Sequence, residues 1–126
     1  IEPENIISAK KASDLDFILP HILRHNKKIT ALFTMSDELL AASHHHLIAI
    51  QKRIPEDISI MAISDGVYPY LLYPNISHIK HSGYRLGRKS CSLLIKIIEN
   101  KKPENSEIMK TKKIILDSVK DLTLIP

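Results

Sequence analysis

The chain has 126 residues, of which 44% are hydrophobic and 25% are charged, and its formal net charge is +4. This balance favours one compact globular domain over a disordered chain, and no apolar run approaches the ~20 residues that span a bilayer. Lysines occur in dispersed pairs and aromatic residues are few, which argues against direct DNA reading by this segment. The first residues carry acid instead of the basic start of a signal peptide, so we expect a cytoplasmic protein.

Apolar periodicity, with turn and capping residues between the runs, predicts alternating strands and helices. The predicted elements, in chain order, are a strand at residues 5–9, a helix at 13–23, a strand at 29–35, a helix at 37–52, strands at 58–63 and 76–81, a helix at 83–99, and strands at 107–116 and 118–125. Pro20 lies inside the first helical pattern, where we expect it to kink the helix or mark a second start.

Residues 58–63 are the centre of the predicted fold. This run is nearly all apolar, as expected for a strand covered on both faces, and it ends at Ser64 and Asp65. Right-handed crossovers between such strands give an α/β fold with a doubly wound, mainly parallel sheet. Sheets of this kind bind ligands at the carboxyl ends of their strands.

Polar residues follow each of the first three predicted strands. They are Lys10 and Lys11, Ser36 and Asp37, and Ser64 and Asp65. Because the carboxyl ends of parallel strands meet at one edge, all of them should face one crevice. Carboxylates and hydroxyls suit a polyhydroxy ligand, and a lysine favours an acidic or phosphorylated one. The alternative is structural: Ser36 and Asp37 only cap a helix, and Asp65 only starts a turn.

The sequence offers no recognisable catalytic, cofactor or metal motif. Its three glycines form no phosphate-binding loop and Gly-x-Ser-x-Gly is absent, so we expect neither an enzyme nor a cofactor. Three consecutive histidines at residues 44–46 point about 100° apart on a helix and cannot converge on one metal ion. His21 and His25 lack a third ligand. Cys91 lies in an apolar helical pattern, which predicts a buried, inert thiol.

Five segments carry a family resemblance: residues 29–42, 53–65, 74–80, 86–90 and 93–99. The most specific phrases are Ile-Pro-Glu-Asp-Ile-Ser at residues 54–59 and Leu-Gly-Arg at residues 86–88. In order and spacing, the segments resemble the second half of the effector-binding domain of the lac repressor/galactose repressor (LacI/GalR) family of bacterial transcriptional regulators. Periplasmic sugar-binding proteins share that fold.

The resemblance implies a type I periplasmic-binding-protein-like fold, whose two lobes close on a small effector and thereby change the affinity of a separate N-terminal domain for operator DNA. Residues 1–76 and 106–126 would supply mainly the C-terminal lobe, and residues 77–105 would cross into the N-terminal lobe. The DNA-binding domain has no counterpart here, so the chain would be a fragment of a regulator. The alternative is a periplasmic solute-binding protein of a sugar transport system.

The resemblance places Lys10, Ser36, Asp37, Ser64 and Asp65 at the effector pocket. Ser36 stands where the family commonly has Asn, and Ser64 stands where it commonly has the first of two Asp residues. A lost charge-assisted contact is worth about 1.5–3 kcal/mol, which disfavours an ordinary neutral sugar. We therefore hypothesise an acidic or phosphorylated effector within the family's range of sugars, sugar derivatives and nucleobases.

The resemblance also implies a homodimer, because the family dimerises through this lobe. The interface would include Ala41, Ala42, His45, Tyr70, Leu71 and Leu72. The last three belong to residues 66–75, which are too apolar for a bare loop and should pack against the core or another subunit. A plain core helix with a packed loop is the alternative.

Overall fold

The structure is a computed structural model, and it describes residues 5–9, 11–101 and 108–121. The helices are α1 (Leu15–His25), α2 (Asp37–Ala49) and α3 (Gly83–Ile98), and the strands are β1 (Ala31–Thr34), β2 (Ser59–Ser64), β3 (Ser77–Lys80) and β4 (Lys112–Ile114). Short 3-10 helices lie at Ala12–Asp14 and Tyr68–Tyr70. Each of the seven main elements overlaps a predicted one.

The four strands form one sheet in the order β1-β2-β3-β4. The pairs β1-β2 and β2-β3 are parallel, and β4 runs antiparallel to β3. Thr34, Ala62, His78 and Ile114 occupy one row across the sheet, so their side chains share a face. The α/β class with a mainly parallel sheet is confirmed.

The hydrophobic core lies between α2 and one face of the sheet. Leu40 and Leu47 on α2 are fully buried against Ile60 and Ile76, and α1 packs Leu23 against the same cluster. Burying each such side chain stabilises the fold by about 1.5–3 kcal/mol. Ser64, at the carboxyl end of β2, lies on the same face as Ile60, so this core sets its position.

Only one face of β2 is fully buried among the described residues, although the sequence predicted burial on both. Burial alternates along the strand: Ile60, Ala62 and Ser64 are buried, and the residues between them are half-buried. No described helix packs closely on the second face. In particular, α3 contributes no buried residue. The predicted buried thiol is also wrong, since Cys91 lies on α3 and is exposed.

The two ends of the chain depart from the predicted elements. Residues 5–9 form no strand, and Ile6 is exposed. An apolar run becomes a strand only by pairing with a neighbour, and residues 5–9 pair with no described strand. β4 lies inside the predicted strand at residues 107–116, but residues 118–121 form none, and residues 122–126 of that last prediction lie outside the described residues. Pro20 lies inside α1, which the structure assigns as one helix.

The loop between β2 and β3 packs partly on the core, as predicted for its apolar composition. Pro69 is buried, and the ring of Tyr70 meets the buried ring of His78 edge-on with centroids 5.6 Å apart. Leu72 packs against the core cluster, whereas Leu71 is 71% exposed. The loop therefore packs on the core through Pro69 and Leu72 and exposes Leu71 to solvent.

Ser118 joins the amino ends of β2 and β3 from a loop. Its hydroxyl donates to the carbonyl oxygen of Ile60 at 2.6 Å and accepts from the backbone N–H of Ser77 at 2.8 Å. Its own carbonyl oxygen accepts from the backbone N–H of Ile60 at 2.9 Å. Ser77 and Ser118 are both fully buried, so these hydrogen bonds satisfy groups that water does not reach.

An ion pair holds the turn that leads into β2. The guanidinium of Arg53 donates to both carboxylate oxygens of Asp57, at 3.2 and 2.9 Å, and the Arg53 backbone N–H donates at 2.9 Å. These hydrogen bonds, with the positive charge of Arg53, hold the pKa of the Asp57 carboxyl well below its usual range. The stabilisation is therefore present above the unfolded pKa of about 3.9 and is lost as the pH falls below it.

Candidate functional site

A crevice of about 270 Å³ lies at the carboxyl edge of the sheet. Its lining residues are Ser36, Asp37, Ile63, Ser64, Asp65, His81 and Gly83. They come from the end of β2 and from the segments that follow β1, β2 and β3, so three parallel strands deliver them to one place. Four of the five residues predicted for the effector pocket are brought together.

Ser36 and Asp37 form the wall at the start of α2. Ser36 has extended backbone and its hydroxyl accepts a hydrogen bond from the backbone N–H of Leu39 at 3.2 Å, so it caps the helix as well as lining the crevice. Asp37 is the first residue of α2, and its Oδ1 atom is buried without a hydrogen-bond partner among the described residues. A buried carboxylate oxygen without a partner is costly.

Ser64 and Asp65 form the floor at the end of β2. Ser64 is 4% exposed, and its hydroxyl accepts from the backbone N–H of Gly66 at 3.0 Å. The turn after Asp65 requires glycine, because Gly66 has a φ of +106°. Asp65 is exposed and lines the crevice, so its carboxylate is free to accept hydrogen bonds from a ligand.

His81 and Gly83 complete the lining of the crevice, and sequence reasoning missed both. The backbone N–H of His81 donates to the carbonyl oxygen of Ser64 at 2.8 Å, which extends the β2-β3 pairing beyond the strands and fixes His81 beside the floor. His81 directly follows β3, and Gly83 lies two residues further on, at the start of α3. Applying the carboxyl-edge rule to that strand, as to the first two, would have found them.

The two lysines predicted at this edge do not both reach it. Lys10 lies outside the described residues. Lys11 precedes the 3-10 helix before α1, where its backbone N–H donates to the Asp14 carboxylate at 3.0 Å, and it does not line the crevice. The missing strand at residues 5–9 explains this, because without it no strand end carries Lys11 to the sheet edge.

The histidines on α2 diverge, as their spacing predicted. His44 Nε2 lies 2.9 Å from the carbonyl oxygen of Tyr73, and His46 Nε2 lies 2.6 Å from Asp16 Oδ1 on α1. His45 is exposed. Within the described part of the chain, no group of three or more histidine, cysteine or acidic residues is placed to hold a metal ion.

The six residues predicted for a dimer interface lie on α2 and on the loop after β2. Ala41, Ala42 and Leu72 are partly buried, and His45, Tyr70 and Leu71 are exposed. The contact between His44 and the carbonyl oxygen of Tyr73 brings this loop against α2. Helix and loop therefore form one continuous surface with exposed apolar side chains.

No helix among the described residues has the length and apolar character that crossing a membrane requires. The family model of the periplasmic binding protein-like domain matches residues 3–119, which is nearly the whole chain. The chain belongs to the periplasmic binding protein-like domain family. The mainly parallel sheet with its crevice at the carboxyl edge agrees with this assignment.

Within this family, the relatives are LacI-type regulators, which confirms the resemblance. The chain is 30% identical over 87 residues to the ribose operon repressor of Lactococcus lactis, covering 69% of this chain and 27% of the repressor. It is 32% identical over 84 residues to catabolite control protein A of Streptococcus mutans, covering 67% and 25%. The matched part of this chain thus spans about a quarter of the length of each of these curated relatives.

Solved structures of LacI-family regulators share its fold. A regulator from Bifidobacterium animalis superposes with a TM-score of 0.78 at 21% identity, covering 90% of this chain and 42% of that chain. A regulator from Arthrobacter, in complex with lactose, gives a TM-score of 0.70 at 18% identity, covering 91% and 44%. The chain therefore has the fold of a part of such a domain.

Proposed function

We propose that this chain is the effector-sensing part of a cytoplasmic LacI-family transcriptional regulator, and that it binds a small hydroxylated metabolite, a sugar or sugar derivative. Binding at the crevice would shift the equilibrium between two arrangements of the regulator and so change its affinity for operator DNA. The DNA contacts would be made by a domain outside this chain. Both curated relatives described above are regulators, which favours this function over solute transport or catalysis.

The crevice is the observation that carries the proposal. Asp37 and Asp65 line it and supply carboxylate acceptors, and Ser36 and Ser64 add hydroxyls. Carboxylates that accept hydrogen bonds from neighbouring hydroxyls are a common way of binding a polyol. The lactose bound to the Arthrobacter regulator agrees with a sugar-like effector.

We infer two further features of the assembly. Residues 1–76 and 106–126 would belong mainly to the C-terminal lobe, and residues 77–105 would cross to the N-terminal lobe, which explains why α3 has no buried residue here. The protein would form a homodimer through the surface of α2 and the loop after β2. Tyr70 is 51% exposed and Leu71 is 71% exposed, and a partner would bury this apolar area.

Replacing Asp65 by Asn tests the proposal, because it removes the charge of a carboxylate that lines the crevice and keeps its shape. We expect the substitution to weaken sugar binding about tenfold or more, since a hydrogen bond to a charged group contributes about 1.5–3 kcal/mol. Isothermal titration calorimetry with a panel of pentoses, hexoses, their acids and their phosphates would measure it. Asp117→Asn is the matched control, because Asp117 is exposed and does not line the crevice.

Tight binding that Asp65→Asn leaves unchanged would contradict the assigned site. Failure of every member of the panel to bind the unmodified protein would contradict the proposed function itself.

A further inference from the structure

Two carboxylates and one imidazole are among the side chains that line the crevice. Asp37 on α2 and Asp65 after β2 supply the negative charges. His81, which follows β3, and Gly83, which begins α3, also line it.

Lys80 does not line the crevice itself but adds a full positive charge next to the turn after Asp65. It is the last residue of β3, and it is the register partner of Ser64, so the two backbones lie about 5 Å apart. Its Cε and Nζ atoms lie 3.2 and 3.4 Å from the point where a Cβ on Gly66 would stand, so the side chain lies over the turn that follows Asp65. With the described residues, its ammonium makes neither a hydrogen bond nor an ion pair.

The amino end of α3 adds partial positive charge next to His81. Ser82 caps the helix by accepting from the backbone N–H of Arg85 at 3.2 Å, and the first turn of α3 has no acidic residue. The positive end of the helix is therefore not neutralised, unlike the first turn of α2, which carries Asp37 and Glu38. The imidazole of His81, which has no described side-chain partner, offers an N–H donor in either tautomer.

We propose that Lys80 and His81 determine the specificity of the crevice, by binding the anionic group of a polyhydroxy acid or sugar phosphate. This inference rests on the proposed function and names the class of effector. The hydroxyls of such a ligand would face Asp37 and Asp65, which repel an anion, and its charged group would face Lys80, His81 and the start of α3.

Calorimetric titrations test whether the crevice prefers an anionic ligand. The compounds are ribose, ribonate and ribose 5-phosphate, and glucose, gluconate and glucose 6-phosphate. We expect at least one anion to bind about tenfold more tightly than its neutral parent sugar, since charge-assisted hydrogen bonds are the strong ones. Lys80→Met and His81→Ala should each lower the ratio of anion to neutral affinity about tenfold. Lys52→Gln is the matched control, because Lys52 is exposed and lies before the amino end of β2. Circular dichroism would verify that each variant is folded.

The outcomes separate the two claims. A carboxylate preference and a phosphate preference each support the inference and identify the anionic group. Equal affinity for anions and neutral sugars, or a preference that survives both substitutions, overturns it while leaving the proposed function standing. No binding by any of the six compounds overturns both.

Discussion

Replacing Leu47 by Ala is expected to lower the free energy of unfolding by about 2–5 kcal/mol. Leu47 is fully buried on α2 and belongs to the cluster that joins the helix to β2. Removing three carbons there forfeits transfer free energy and leaves a cavity that close-packed neighbours fill only partly. Since domains of this size are stable by only about 5–15 kcal/mol, the loss is a large fraction of the total. Urea denaturation followed by circular dichroism measures it.

The matched control is Ile48→Ala, one position further along the same helix. Ile48 is 51% exposed, so its truncation should change stability by less than about 1 kcal/mol. Equal losses for the two variants would show that α2 does not pack on the sheet with the face described here. That result would also remove the reason for Ser36 and Asp37 to face the crevice.

Replacing Ser118 by Ala is expected to cost about 1–3 kcal/mol of stability, which is large for the loss of one oxygen atom. The Ser118 hydroxyl bridges the Ile60 carbonyl oxygen and the Ser77 backbone N–H, and all of these groups are buried. The substitution leaves a donor and an acceptor without partners where water cannot reach them. The midpoint of urea denaturation should fall while its slope stays unchanged, because the surface exposed on unfolding is the same.

Ser92→Ala provides the comparison for this serine. Ser92 is exposed on α3, and its truncation should stay within about 0.5 kcal/mol of the unmodified protein. If Ser118→Ala is as harmless as Ser92→Ala, then the loop that carries Ser118 does not close the amino ends of β2 and β3.

Sequence reasoning succeeded where local signals and the core agree. The apolar run at residues 58–63 became β2, and the capping residues Ser36 and Ser82 start α2 and α3 where predicted. The carboxyl-edge rule then placed Ser64 and Asp65 beside Ser36 and Asp37 without any side-chain information. Strand direction fixes which residues meet, and strand direction follows from the alternation of strands and helices.

The failures concern burial and pairing, which depend on neighbours that a local pattern does not show. Residues 5–9 have the composition of a strand but pair with no described strand. Cys91 has apolar neighbours in the sequence, but it is exposed on α3, and α3 has no buried residue. His81 and Lys80 were missed for a different reason. The rule that ligands bind at the carboxyl ends of strands was applied to the strands predicted at residues 5–9, 29–35 and 58–63. The first of these did not form, and the rule was not applied to β3.

Mapping where a sugar derivative binds tests the proposed effector site directly. In a titration followed by two-dimensional amide NMR, we expect the largest shift changes at the residues around the crevice, Asp37, Asp65 and His81, and little change at Lys52 or Asp117 at the opposite end of the strands. Changes that concentrate away from the carboxyl edge, with the crevice residues unmoved, would contradict the claim that three strand ends form an effector site.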